Sequence, residues 1–239
     1  MIVSICGYDG IVMAADSGAS RHIAMTDINL LFAMDQNNVQ DNLSFCFATN
    51  CNKLHLLKNN IAISEGGQRL TGAKQNKPIM PMRPLLDHFY LSNNFYTPGE
   101  AAEALLEYVK KTAPDFKAGF HVCGYDDTES LKLPIPRLYF VNTQDHIVTS
   151  IDKGQTGIMQ HSCNEYMMPF SQMVAANLKS FNMQDTIDYA VFAIKASAMF
   201  EKFALLNNRI NGHIDVLTLT PSGAEWVSKK QLHAEGNQI

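Results

Sequence analysis

The chain has 239 residues, of which 46% are hydrophobic and 18% charged, and carries a formal net charge of −4. That length suits one domain with a sizeable core, and the composition is not that of a disordered chain. No cluster of Lys and Arg is present to neutralise phosphates, and no apolar run approaches the roughly 20 residues that cross a bilayer, so neither nucleic acid nor membrane is expected as a partner.

The first sixteen residues read as two buried strands joined by Gly7-Tyr8-Asp9-Gly10, in which Asp-Gly suits a tight hairpin turn. The second, Ile11-Val12-Met13-Ala14-Ala15, is continuously apolar and stops at Asp16-Ser17-Gly18, as expected of a strand covered on both faces that ends at a polar site. Apolar runs at 30–34 and 43–49 flank a polar stretch at 35–42 and predict a second hairpin. Runs at 53–57 and 60–64 predict another strand pair, closed by Gly66-Gly67.

Helices are expected next. Pro84 to Leu91 falls in one, and Thr97-Pro98-Gly99-Glu100 starts another with a capping threonine, a proline at the first helical position and a glutamate three residues on. After strands at 118–125, 137–142 and 146–151, a third helix takes in 171–179. A long fourth is capped by Asn182-Met183-Gln184-Asp185 and runs to about Leu206, with Ile187, Val191, Ile194 and Ala198 at helical spacing. Strands at 213–220 and 225–228 close the chain around Pro221-Ser222-Gly223. The order of strands, helices, strands, helices and strands predicts an α+β fold, packed most economically as two sheets flanked by helix pairs.

Met1-Ile2-Val3-Ser4 lacks the basic and long apolar segments of a signal peptide, which predicts a cytoplasmic protein. The five cysteines, Cys6, Cys46, Cys51, Cys123 and Cys163, are odd in number and widely spread, and read as thiols. No two Cys/His pairs share the spacing of a zinc site, so no metal is expected, and His161-Ser162-Cys163 reads as structural.

Four segments resemble proteasome β-type and related bacterial subunits of the N-terminal-nucleophile (Ntn) hydrolase superfamily. They are Asp9-Gly10-Ile11-Val12-Met13-Ala14-Ala15-Asp16-Ser17; Lys53-Leu54-His55-Leu56-Leu57 with Asn59-Asn60-Ile61-Ala62 and Gly66-Gly67; Cys123-Gly124-Tyr125-Asp126 with Pro136-Arg137-Leu138-Tyr139-Phe140-Val141; and 214–220 with Gly223-Ala224-Glu225-Trp226-Val227. In order they span nearly the whole chain. The resemblance implies one domain over 1–239, a four-layer αββα sandwich of two antiparallel sheets flanked by helix pairs. It also marks a hairpin insertion at about 27–50, since the stretch from Asp16 to Lys53 is some twenty residues longer than the family usually has.

The family's chemistry uses a nucleophile whose own α-amine is the general base, a lysine that lowers the nucleophile's pKa, and an aspartate that orients the lysine. Asp16 and Lys53 match those two positions by motif, Ser162 can be aligned with a supporting serine, and the Gly66-Gly67 backbone is the expected oxyanion hole. The nucleophile's place falls on Met1 or just before it, where no hydroxyl is supplied, and the large Ile2 predicts that an initiator methionine stays. The supporting aspartate and serine expected before the final strand pair are replaced by 207–211, and asparagine carries no charge.

Three functions follow from the resemblance: a peptidase acting at Asp16 and Lys53 on a peptide substrate; a catalytically silent subunit that assembles into a ring with itself or an active relative; and an amidase using Ser4 or Cys6 after processing. None of them calls for a cofactor, because the family's chemistry uses protein groups alone.

Overall fold

In a computed structural model, residues 1–24, 42–67, 70–71, 80–127, 134–152, 154–161, 164–204 and 209–231 are described, and the chain is α+β. Two five-stranded antiparallel sheets dominate it. The first takes β1 (Ile2–Cys6) and β2 (Ile11–Asp16) as its centre. Both strands are buried along their whole length, the state their uninterrupted apolar runs require.

β3 (Ala19–Ala24) and β4 (Asn42–Ala48) pair with each other in a separate ribbon. The strand expected at 43–49 is therefore present and pairs with the segment that leaves Asp16; its expected hairpin partner, 30–34, lies outside the described residues. The insertion expected at about 27–50 is described only from Asn42 onward.

The second sheet begins with β5 (Leu54–Leu56) and β6 (Ala62–Gly67), joined by a short 3-10 turn at Lys58–Asn60. Between it and the helices lie two-residue strands, β7 (Leu70–Thr71) and β8 (Met80–Pro81). Helices α1 (Met82–Ser92) and α2 (Pro98–Thr112) follow. The expected capping box is formed at α2: Glu100 N donates to Thr97 Oγ1 at 3.2 Å, and Thr97 N donates back to Glu100 Oε2 at 3.2 Å.

β9 (Ala118–Asp127), β10 (Pro134–Asn142) and β11 (Ile147–Ser150) complete the second sheet in the order β11-β10-β9-β6-β5. β12 (Gly157–His161), β13 (Ile214–Thr220) and β14 (Gly223–Ser228) complete the first in the order β12-β1-β2-β13-β14. Between β12 and β13 come α3 (Asn164–Ala175) and α4 (Met183–Ala204). The helix expected at 171–179 thus starts earlier and ends at Ala175. Beyond it the chain tightens into three-residue bonds, Ser180 N to Asn177 O at 2.9 Å and Phe181 N to Leu178 O at 3.2 Å, which form a separate 3-10 turn.

Three apolar clusters hold these elements. Ile63, Phe120 and Val122 of the second sheet pack against Leu86 and Phe89 of α1 and Leu105 of α2. Val3, Ile5 and Val12 of the first sheet pack against Ala190 and Ile194 of α4. The remaining faces meet each other, Ile2, Met13 and Leu217 from one sheet against Leu54, Cys123 and Leu138 from the other. Each fully buried large side chain contributes roughly 1.5–3 kcal/mol. No helix among the described residues is long and apolar enough to cross a membrane.

Candidate functional site

β2 runs as a buried apolar strand to its last residue, and that residue is Asp16. Its side chain is 1% exposed. Such a carboxylate has to be compensated, and among the described residues four nitrogen donors surround it. Oδ1 accepts from the Met1 α-amine and from Lys53 Nζ, the latter at 2.6 Å. Oδ2 accepts from Gly18 N at 2.8 Å and from Asn211 N at 3.0 Å. Burial pushes the Asp16 carboxyl upward, but the Met1 amine and Lys53 outweigh it and hold the group below the ordinary carboxylate range.

Each donor is placed by the fold. Met1 lies across from Asp16, whose N–H donates to Met1 O at 3.3 Å and extends the β1–β2 ladder. Only the Met1 amine faces the carboxylate, because its side chain joins Val3 and Ile5 on the helix side of the sheet. Lys53 precedes β5 and is fixed by Glu65 N donating to its carbonyl at 2.9 Å.

Asn211 arrives from the segment leading into β13, which is held from α4. Glu201, 0% exposed, accepts from Arg209 N at 3.0 Å, Ile210 N at 3.1 Å and Arg209 Nε at 2.8 Å. The asparagine-containing stretch thus reaches Asp16 through a backbone N–H rather than an acidic side chain, a contact that side-chain identity does not signal. The nearest hydroxyl in sequence, Ser17 Oγ, is directed elsewhere and donates to His213 O at 2.7 Å.

Asp16, Lys53 and Met1 are therefore brought together. Ser162 lies outside the described residues. Gly66 and Gly67 form the end of β6, paired with Gly119 and Ala118 of β9, and Gly67 has φ +117. Ser4 and Cys6 are not near the Asp16 carboxylate; both face the space between the sheets at 0% and 2% exposure. Ser4 Oγ meets His121 Nδ1 at 2.8 Å, and burial pushes the Cys6 thiol up to about 11, Arg137 countering only in part.

His161, read from the sequence as structural, ends β12 opposite Ile2 and projects between the sheets. Its ring fills the space above Gly66 and Gly119, which face each other in the β6–β9 register. A Cβ on Gly66 would fall 2.4 Å from its Cδ2, and one on Gly119 2.6 Å from its Nδ1. Burial, then the Met1 amine and Lys53, push the imidazole down to about 4. The facing glycines are the sequence signal for this ring, but the register that aligns them is visible only in the fold.

Beside His161 is a cavity of about 170 Å³ whose lining also includes Gly67, Gly119 and Phe140. Among the described residues, no group of three or more Cys, His, Asp or Glu side chains could hold a metal ion. Compared with known protein families and with curated proteins, the chain matches no family model and no curated sequence.

Proposed function

We propose that the chain is a proteasome-like subunit of the Ntn-hydrolase superfamily, with two sheets and their helices forming that superfamily's αββα sandwich, and that it serves as a catalytically silent member of a ring-like assembly. One observation carries this reading. Asp16 gathers an α-amine and a lysine ammonium on a single buried carboxylate, the charge arrangement of an Ntn peptidase, yet among the described residues its hydrogen-bond donors are four nitrogens, with no hydroxyl or thiol. Met1 presents its amine to that centre and turns its side chain away from it. The charge cluster then acts as a structural tie that holds β1, β2, Lys53 and the 209–211 segment together.

The active reading, peptide-bond hydrolysis at this centre with Gly66 and Gly67 as oxyanion donors, draws on Gly67 lining the neighbouring cavity. The amidase reading requires loss of residues 1–3 or 1–5, which would strip β1 of its pairs with Ala15, Ala14 and His161.

Intact mass, N-terminal sequencing and native mass spectrometry of the native protein, with a fluorogenic peptide assay, test the proposal. A chain beginning at Met1, assembled and without hydrolysis, is expected. A chain beginning at Ser4 or Cys6, or hydrolysis abolished by Lys53→Ala and by Asp16→Asn, would replace it with the corresponding enzyme.

A further inference from the structure

His161 stands apart from the ion cluster beside it. Its ring is seated on the Gly66 and Gly119 pair and packed against Phe140, with centroids 5.9 Å apart. Neither ring nitrogen has a hydrogen-bond partner among the described residues. The ring is half-buried, and the space it lines is the cavity of about 170 Å³.

The chemistry of that space narrows what fits. At neutral pH the imidazole is uncharged, so it presents an N–H at one nitrogen and a lone pair at the other. The Met1 amine and Lys53 lie near enough to act on it, and Lys117 also lines the cavity, so an ammonium group is disfavoured. A carboxylate offers acceptors only and answers only an N–H. A primary carboxamide carries a donor and an acceptor in one planar group and suits whichever nitrogen faces it. The volume is below the 300–1,000 Å³ or so of sites that enclose whole small molecules, which fits one side chain of a larger ligand.

We propose that His161 and this cavity form a binding site for an uncharged carboxamide, such as a glutamine or asparagine side chain carried by a larger ligand, with His161 as its orienting hydrogen-bond partner. The site rests on the ring and the cavity alone, and so stands whether or not the Lys53 centre hydrolyses anything.

Nuclear magnetic resonance titration of the isotope-labelled full chain with propionamide, propionate and propylamine, three probes of one size and different charge, tests it. Propionamide is expected to give saturable shifts of the Gly67 and Gly119 amides and of the His161 ring nitrogens, propionate weaker ones, and propylamine none. His161→Phe, which keeps an aromatic ring on the glycine seat but removes its hydrogen bond, is expected to weaken propionamide about tenfold, and His161→Gln to restore most of the loss. A cavity that holds water only, seen as no saturable shift in the wild-type chain, overturns the proposal. So does undiminished binding by a folded His161→Phe, or tighter binding of propionate, which would mark an anion pocket. Should His161→Phe not fold, the wild-type ring signals decide alone.

Discussion

Asp16 holds two cationic groups, the Met1 amine and Lys53, on one oxygen, and the sign of its effect on stability follows from that. Removing the carboxylate takes from the Met1 amine and Lys53 the buried counter-charge they share. Asp16→Asn is therefore expected to lower unfolding free energy by about 3–5 kcal/mol, measured by urea denaturation at pH 7. Because the folded pKa of Asp16 is depressed, its contribution is present above the ordinary carboxylate range and is lost as pH falls through the lowered value.

The two inter-sheet histidines act at higher pH. Burial is the main cause for both: it pushes His161 down to about 4 and, with a smaller contribution from His161, His121 down to about 3, against 6.5 for a free imidazole. Each unfolds into a state that binds a proton more readily. Stability is thus complete above pH 6.5 and is lost on acidification, at up to about 1.4 kcal/mol per pH unit for each ring, until the folded values are reached. Urea midpoints measured from pH 7.5 to pH 4.5 are expected to fall steadily, and to fall less steeply in His161→Gln.

At the scale of elements, two short-range devices can be separated by mutation. Thr97→Ala removes the side-chain acceptor for Glu100 N and is expected to cost about 1 kcal/mol of unfolding free energy in urea, with the structural change confined to the start of α2. Glu201→Ala acts at a distance. It removes the acceptor of Arg209 Nε and of two backbone N–H groups, with an expected loss of about 3–5 kcal/mol. It also frees the segment that delivers Asn211 N to Asp16, so hydrogen exchange of the Asn211 amide is expected to accelerate more than that of β2.

Legibility in the sequence followed the range of the interaction. β1, β2 and α2 were readable because uninterrupted apolar runs and a capping box are local signals, and Asp16 was readable because a lone acid ends such a run. Lys53 came through resemblance and does meet Asp16. The pairing of 43–49 with Ala19–Ala24 was not legible, because it reaches back across the whole intervening segment and leaves no local signal. His161 was passed over for a related reason. Its role depends on Gly66 and Gly119 facing each other on two other strands, a coincidence of register that no local pattern contains.

For the whole molecule, the contact between the sheets is mainly apolar but is crossed by a few polar links. Lys53 reaches Asp16 at the site end, and Ser4 meets His121 midway. Asn60 Nδ2 donates to Thr220 O at 2.7 Å and Tyr125 Oη to Leu219 O at 3.1 Å at the far end, since Leu219 pairs with Ile11 and Ile214 with Asp16. The strands between these links are expected to exchange their amide hydrogens only through global unfolding, with β1, β2 and β9 the slowest and β11 and β14 the fastest. Equal rates in central and edge strands would contradict that order.

The glycine seat of His161 adds a mechanical constraint to this pattern. A ring from one sheet wedged over two missing side chains of the other behaves as a peg in a socket, and it resists sliding in the plane of the sheets as well as separation across it. With donors clasping carbonyls at the opposite end, the two layers are pinned to each other at both ends. Whatever enters beside His161 must be admitted by side chains and loops, because the layers themselves are locked in register.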